Sequence, residues 1–449
     1  MPTISLWRLL TPMVCAAALA QAPEAAALGL LPAYEAALAN DPVYRAALRE
    51  NEAGQQFQVL GRANILPSLS ANYAQNRNRA DVTSSSILGG RTEHRDYNSL
   101  TASIQFRQPL YHPEGMARYR QGIAQTSASN TQFSLRQQDL IMRLVSLYAT
   151  AKYAEDQLAQ ASAQRDAYAE QRLSNLRLFQ KGEGTRTDVL ETQAKFDLSL
   201  AQMLEAGDNV VNARNALAAM VGQDITTLEP FADNFQVKPT QPGSFEEWKA
   251  IALRENPEIV GQRYAVEVAR EEINKSRAGH YPRLDLVETA SKNNSDTINT
   301  FNQNANILSV GLQVNVPLYS GGLVTAATSQ AGSNYEKSQA DLDAKTSQVL
   351  VELRKQFNLI LSSAARLEAA ATALSSASLL VEATHKSVKG GQRTNVDVLN
   401  AQQLLFEARR DLTLSRYSYL LSVLRLRYSA GTLGMADLKD IAAYFVAGN

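Results

Sequence analysis

Alternating hydrophobic and polar residues mark two similar strands in the chain. In SVGLQVNVPLYSGG (309–322), valine and leucine alternate with glycine, glutamine and asparagine. This alternation predicts a strand with one apolar face and one polar face, which ends at Pro317. A similar stretch, SIQFRQPLYHPEG (103–115), contains Pro109 at the matching place, 208 residues earlier.

The second pattern is the absence of proline after these strands. No proline lies between Pro113 and Pro230, and none follows Pro317. Because a proline inside a helix costs about 3 kcal/mol, such spans permit very long helices. Apolar residues recur in them at intervals of three to four, in narrow stripes that suit coiled-coil-like packing. The stripes include Phe133, Leu140, Leu144, Val145, Tyr148, Val349, Leu353, Phe357 and Ile360.

Glycines interrupt each long helical segment once, in KGEGTRTD (181–188) and in KGGQRTNVD (389–397). We therefore predict two helical hairpins, at about 113–221 and about 321–430, which turn at these glycines. From residue 113 to the first turn, the helix would be about 100 Å long, which exceeds the diameter of a small domain.

The chain also repeats itself, because matching residues recur in the same order with a slowly drifting offset. The segment 34–54 resembles 248–267, and Asp188-Val189-Leu190 matches Asp397-Val398-Leu399. Ordered matches of this kind indicate an internal duplication. We expect a first repeat at 28–222, a linker at 223–243, a second repeat at 244–431 and a tail at 432–449.

Each repeat has the same order of predicted elements. A helix comes first, at about 33–63 or 245–278, and Asp41-Pro42 or Asn256-Pro257 near its beginning suits a cap followed by proline. The long hairpin comes last.

A strand pair lies between the helix and the hairpin, at about 68–110 in the first repeat and about 283–318 in the second. In the first pair, LSANYAQ and LTASIQF enclose a polar loop, and in the second, LDLVETA and ILSVGLQVNV do so. Because these loops lack apolar residues and periodicity, we expect them to lie in water.

The amino terminus, residues 1–27, is typical of an export signal. Arg8 precedes a short apolar run, and small residues offer cleavage after Ala20 or Ala27. The alternative is an ordinary buried amino-terminal helix. We favour the signal because the apolar run is too short to span a membrane and has the flanking residues of a signal peptide. The single cysteine, Cys15, would leave with the signal, so the mature chain would form no disulfide.

The 449 residues carry 44 basic and 44 acidic side chains, a balance that does not indicate a nucleic-acid partner. No later segment has 18 uninterrupted apolar residues, so we expect no membrane-spanning helix after the signal. Four strands are too few to close a barrel in lipid, where open sheet edges are not tolerated. Two, three or four copies would pool enough strands. The alternative is a soluble periplasmic protein whose strand pairs pack on its helices.

The duplicated repeats, the two strands in each repeat and the hairpins that turn at glycines together resemble one family. It is that of the TolC-like outer-membrane channel-tunnels, also called outer membrane efflux proteins. The resemblance covers essentially the whole mature chain. Its most specific pieces are ALANDP (37–42), QPLY and VPLY before the long helices, QRTNVDVLNAQ (392–402) and YSAGTL (428–433).

The resemblance implies a mainly α fold with a β-barrel contribution, completed by a homotrimer. Twelve strands would form one barrel in contact with outer-membrane lipid, and the helical hairpins would continue it as a tunnel across the periplasm of a Gram-negative bacterium. Pro109 and Pro317 would mark the bends from barrel to tunnel. The linker and the tail would form an equatorial belt.

The resemblance also places a gate at the hairpin turns, where an arginine of one hairpin and an aspartate of its neighbour hold the tunnel closed. Arg393 and Asp188 match these two positions. Asp397 matches the first position of an acidic ring at the constriction. Asn400 stands at the second position, where the family's best-known member has aspartate, so the expected acidic charge is halved. The alternative role of Asp188 and Asp397 is to cap the helices that follow the turns.

The implied function is a passive exit duct, not an enzyme, and it needs no cofactor. A periplasmic adaptor would dock on the turns that contain Gly182, Gly184, Gly390 and Gly391, and an inner-membrane ABC transporter would supply the energy. The asparagine-aspartate-proline sequence, the unlipidated signal and the length favour type I secretion of an unfolded polypeptide such as a protease. Multidrug efflux is the alternative within transport, and a periplasmic coiled-coil structural protein is the alternative outside it.

The sequence shows no motif for catalysis or for a bound cofactor. Gly182 and Gly184 lack the preceding strand and the third glycine of a dinucleotide site. The four histidines are scattered, without the spacing of a zinc site, and neither G-x-S-x-G nor a Walker lysine occurs.

Overall fold

The computed structural model describes residues 27–86, 89–232, 235–237, 241–295 and 303–445. The predicted signal peptide, apart from Ala27, lies outside these residues. Parts of the predicted linker and tail also lie outside them.

The two halves of the chain have the same order of elements. The first contains α1 (Leu30–Asn40), α2 (Pro42–Ala63), β1 (Ser68–Ser86), β2 (Gly89–Tyr111), α3 (Pro113–Gln180) and α4 (Arg186–Val221). The second contains α5 (Phe245–Glu255), α6 (Pro257–Arg277), β3 (Arg283–Ser295), β4 (Gln303–Asn315), α7 (Leu323–Lys389) and α8 (Asn395–Ala430), and α9 (Met435–Ala442) follows in the tail.

The fold is mainly α with one small sheet, which confirms the predicted fold class. The 68 residues of α3 form a helix about 100 Å long. No helix in the part of the chain that the structure describes combines the length and the hydropathy that a transmembrane span requires.

The predicted helices at 33–63 and 245–278 are each divided in two, which corrects the expectation of one helix per repeat. Asp41 caps α2 by accepting a hydrogen bond from the Tyr44 N–H at 3.0 Å, and Asn256 caps α6 in the same way. The chain is also helical before each cap, so α1 and α5 precede the breaks.

The first break is buried and carries an ion pair. Arg143 Nη2 of α3 lies 2.6 Å from Asp41 Oδ2. Burial alone would raise the pKa of Asp41, but the hydrogen bonds from Arg143 and from the Tyr44 N–H leave that pKa below its ordinary value. Asp41 therefore ties the cap of α2 to the long helix α3.

Each break also packs against the end of a hairpin. Asn40 Nδ2 donates to the Val221 carbonyl at the end of α4 (2.8 Å), and Asn256 Nδ2 donates to the Ser429 carbonyl near the end of α8 (2.9 Å). The main core lies at this level. It joins α1, α3, α4, α8 and α9 through Leu30, Leu144, Tyr148, Leu217, Leu424 and Leu438.

The four strands form one antiparallel sheet in the order β1-β2-β3-β4. The pairing of β2 with β3, in which Ile104 lies opposite Ala290, joins the two halves of the chain. Within the described chain, β1 and β4 each have a single neighbour, so the sheet ends in two open edges.

The predicted polar loop of the first half was wrong, because most of it is paired strand. The β1–β2 ladder continues from the pair Asn76–Ser99 to the pair Ser86–Gly89. Backbone hydrogen bonds hold an antiparallel ribbon without apolar side chains, and ion pairs such as Arg79 Nε to Asp96 Oδ1 (2.9 Å) add to it.

The register gives the sheet two chemically different faces. We call the first the apolar face, and it contains Leu69, Ile104, Phe106, Leu284, Leu286, Leu308, Val310, Leu312 and Val314. One carboxylate, that of Glu288, interrupts it. Six of these side chains are exposed, as in Leu312 at 66 %, whereas Phe106, Leu284 and Leu286 are half-buried. The opposite face is mostly polar and includes Ser70, Asn72, Ser103, Gln105, Thr289, Ser291 and Gln313.

We predict that Gly431→Ala destabilises the protein by about 2 kcal/mol or more, because the left-handed backbone alone costs an alanine about 1–2 kcal/mol. Gly431 ends α8 with φ +81°, and a Cβ there would lie 2.5 Å from the Asn256 Cα. The matched control is Gly207→Ala inside α4, where a Cβ would meet no atom within 4 Å.

Thermal unfolding followed by circular dichroism measures this difference. We expect a lower midpoint for Gly431→Ala and an unchanged or slightly higher midpoint for Gly207→Ala, since alanine is the better helix former. Equal midpoints for the two variants would contradict the packing described above.

Candidate functional site at the hairpin turns

Both hairpins turn through the same backbone geometry. Gly182 follows α3 with φ +80°, and Gly391 follows α7 with φ +72°. After each of them the chain bonds back into the helix, since the Glu183 N–H donates to the Leu178 carbonyl (2.9 Å) and the Gln392 N–H donates to the Ser387 carbonyl (3.0 Å). This is a glycine-terminated helix end, in which a side chain at the glycine would be strained.

An aspartate then caps the next helix at each turn. Asp188 Oδ2 accepts hydrogen bonds from the Thr185 N–H (3.2 Å) and the Thr185 hydroxyl (2.7 Å). Asp397 Oδ2 accepts the corresponding bonds from Thr394, both at 2.9 Å. The Thr394 N–H, then its hydroxyl, then the nearby charge of Arg393 lower the pKa of Asp397. Both carboxylates therefore perform the capping role that the sequence left open as an alternative.

The structure places the other predicted gate residues on the surface of the turns. Arg393 and Asn400 are exposed. Within one chain, neither Arg393 nor Asp188 takes part in an ion pair among the described residues. Since the expected link joins neighbouring hairpins, a gate formed by Arg393 and Asp188 stays a prediction about the assembled protein.

The predicted docking glycines divide into two kinds. Gly182 and Gly391 supply the left-handed backbone, whereas Gly390 lies at the end of α7 and Gly184 lies close to its own hairpin. A Cβ at Gly184 would lie 3.1 Å from the Phe179 nitrogen. These turns expose backbone at the far end of each hairpin.

A buried polar pair, which the sequence analysis missed, braces the first turn. Asn175 Nδ2 donates to Thr192 Oγ1 at 2.7 Å, and the Thr192 hydroxyl donates to the Asp188 carbonyl. Asn175 is 2 % exposed and Thr192 is fully buried. At the equivalent places in the second hairpin stand Thr384 and Ala401, so that turn has no such link. The only signal in the sequence was this difference between the two repeats.

Above the turns, polar contacts join α8 to the first hairpin. Gln160 Nε2 of α3 donates to Thr413 Oγ1 of α8 at 2.9 Å, Lys195 Nζ donates to Gln403 Oε1, and the ring of Tyr168 packs 6.3 Å from the ring of Phe406. A cavity of about 480 Å³ lies between these helices. Its lining includes Gln157, Gln164, Glu205, Asn209, Glu407 and Arg410. At this level the two hairpins of one chain thus meet through hydrogen bonds around a partly polar space, whereas the main apolar core joins them at the level of the two breaks.

The two predicted bends lie where the strands end. Pro109 lies in β2 beside a shift of register between Pro109 and Tyr111, and Pro317 lies two residues after the end of β4. Their role in directing the sheet into the helices stays a prediction.

Comparison with known proteins gives consistent matches. A family model described as "Outer membrane efflux protein" matches residues 33–223 and again 249–432. The alkaline protease secretion protein AprF of Pseudomonas aeruginosa is 44 % identical over 98 % of this chain and 92 % of its own length. The proteases secretion protein PrtF of Dickeya chrysanthemi is 41 % identical over 94 % of this chain and 92 % of its own length.

A solved structure also shares the fold. The crystal structure of a membrane protein from Pseudomonas aeruginosa superimposes with a TM-score of 0.78 over 90 % of each chain, at 18 % identity.

We predict that Thr192→Val loosens the first turn, because it leaves the Asn175 amide without its strongest partner, at a cost of about 1–3 kcal/mol. The matched control is Thr384→Val, which removes an equally buried hydroxyl that bonds only to the Leu380 carbonyl of its own helix. Hydrogen exchange at residues 176–191 should accelerate about fivefold or more in Thr192→Val, since 1.4 kcal/mol corresponds to a factor of ten. Similar exchange at the respective turns in both variants would show that the Asn175–Thr192 pair has no special role.

Proposed function

Because the chain belongs to the outer membrane efflux protein family, we propose that it is the exit duct of a type I secretion system that exports an unfolded protein, such as a protease. The protein lies in the outer membrane and extends into the periplasm. The two relatives at 44 % and 41 % identity are both named for protease secretion, which supports a protease cargo.

The observation that carries the proposal is the four-stranded sheet with an uncovered apolar face, a polar face and two open edges. Unpaired backbone groups cost several kilocalories per mole in lipid, so the edges of β1 and β4 must pair with other strands. The apolar face then meets lipid and the polar face surrounds an aqueous space. Only further copies of the same chain supply such strands symmetrically.

We infer a homotrimer, in which three sheets make a twelve-stranded barrel and six long hairpins make the tunnel. The strand arithmetic alone permits two, three or four copies, and the family resemblance selects three. The length of about 100 Å is then explained, because the helices extend the duct across the periplasm towards the inner membrane.

The partners follow from the absence of an energy source in the duct. An inner-membrane ABC transporter drives the cargo, and a periplasmic adaptor docks on the turns at 181–187 and 389–396. The exposed backbone and the repeated geometry of the two turns support this surface. The cargo crosses the duct without covalent chemistry, so the protein acts as a channel and not as an enzyme.

In the trimer, Arg393 and Asp188 of neighbouring hairpins hold the turns together, and Asp397 with Asn400 lines the constriction. Each link is solvated and worth about 0–1 kcal/mol, so a docking adaptor is able to open the gate. Asp188 serves both its cap and the gate, because only its Oδ2 accepts the Thr185 bonds.

We predict that Arg393→Ala and Asp188→Asn each raise the mean single-channel conductance in planar bilayers, and that the double variant gains little over either one, because both remove the same link. Asn at position 188 keeps a side-chain oxygen that accepts the hydrogen bonds from the Thr185 N–H and hydroxyl. The control is Arg186→Ala, which removes an exposed charge from the same turn and should leave the conductance unchanged. Unchanged conductance in both test variants would remove these residues from the gate.

We predict that deletion of the gene abolishes the appearance of a protease in the culture medium, with restoration by the wild-type chain. Zymography of the medium, with intracellular protease as the reference, measures this. Drug sensitivity with normal protease secretion would instead assign the protein to multidrug efflux. No ion flux from the reconstituted protein would favour the coiled-coil structural protein.

A further inference from the structure

The apolar face of the sheet ends in a row that contains a lysine and a tyrosine. Lys292 of β3 lies opposite Ala102 of β2, and Ala102 lies opposite Tyr73 of β1. Asn306 of β4 completes the row. Lys292 and Tyr73 therefore project from the same face as the apolar residues. Their row lies toward the end of the sheet that is farthest from the helices.

The position of this row matches the edge of a membrane. Rows on one face of a sheet are two residues apart, so the row of Lys292 is about 27 Å along the strands from the row of Leu284 and Val314 at the other end. The apolar band of an outer-membrane sheet is about 25 Å tall and is flanked by aromatic residues. Since such strands are tilted by about 35–45°, this length spans about 20 Å of the height of the band, and Tyr73 and Lys292 lie a few ångströms inside its outer edge, from which the long lysine side chain reaches the headgroups.

Beyond this boundary the same face becomes polar and then basic. The next row contains Gln75, Leu100, Asn294 and Asn304, and the row after it has Arg77 of β1 opposite Asn98 of β2. Arg77 follows Tyr73 on the same face because four residues separate them along one strand.

Lys292 and Arg77 are two exposed cations on this face, and their rows are about 13 Å apart along the strands. Farther out, Arg79 pairs with Asp96 and His94 pairs with Asp81. Lys292 and Arg77 form no ion pair within 4.0 Å among the described residues, although the charge of Arg77 also acts on Asp96. The carboxylate of Glu288 lies two rows away from Lys292, inside the apolar face, about 13 Å along the strand.

We propose that Lys292 and Arg77 bind the phosphate groups of lipid headgroups in the outer leaflet. The lysine stem lies along the apolar face while its ammonium reaches the headgroup level, and the guanidinium accepts a phosphate in a two-pronged geometry. Exposed cations that border an apolar face match an anionic lipid in both charge and position. This inference depends on the outer-membrane location and not on the identity of the cargo.

The test compares the wild type with Lys292→Gln/Arg77→Gln in phosphatidylcholine nanodiscs that contain a small fraction of bis-phosphorylated lipid A. Native mass spectrometry counts the lipid A molecules that stay bound. Each basic residue near a lipid surface changes binding by about fivefold, so the double variant should bind about thirtyfold more weakly. Dephosphorylated lipid A should bind the wild type as weakly as the double variant binds the phosphorylated form.

Two control variants keep the result interpretable. Arg91→Gln removes a cation from the same hairpin but from the opposite face, because an odd number of positions separates Arg91 from Asp96 and Asn98 along β2. This variant should retain the lipid. Lys292→Arg/Arg77→Lys keeps both charges and should also retain the lipid. Retention in this variant would show that the Gln variants lose the lipid because they lose charge, not because any substitution at these positions disrupts folding. Equal loss in Arg91→Gln, binding that ignores the phosphates, or displacement of the lipid by equimolar inorganic phosphate would overturn the proposal.

Discussion

The structure depends on one constraint, that backbone donors and acceptors at a sheet edge must be paired when water is absent. Within one chain, β1 and β4 leave their outer edges open, although the face between them is as apolar as a lipid-facing surface. A single copy therefore has an incomplete wall. When identical copies close the sheet into a barrel, the backbone donors and acceptors at the edges of β1 and β4 become paired. The apolar face stays uncovered on the outside, and the polar face surrounds a common aqueous path.

The long helices extend that path, and they do so with only a narrow apolar core between them. Proline-free segments form rods of 68 and 67 residues, and each rod turns back at a glycine in a left-handed conformation. The Thr185–Asp188 and Thr394–Asp397 caps restart the helices from within the turn itself. Each turn thus contains its own helix cap, and its outer surface stays available to a partner.

The duplication is imperfect at the place where function is expected. Asn175 and Thr192 link the two helices of the first hairpin beneath its turn, whereas Thr384 bonds only within its own helix. Arg393 in the second turn takes the place of Gly184 in the first. The first hairpin is therefore the braced member of the pair, and the second carries Arg393. Such a division suits a gate in which one element is fixed while the other moves.

The sequence alone determined the helix lengths, the alternating strand faces, the turn glycines and the capping aspartates, because each of these depends on residues a few positions apart. The tertiary structure alone decided that β2 pairs with β3, that the polar segment 76–98 is mostly strand, and that Asn175 meets Thr192. It also decided that Lys292 and Arg77 share one face of the sheet. These features depend on contacts between residues far apart in the chain, and local hydrophobic periodicity carries no information about the partner that a strand or a buried polar group will meet.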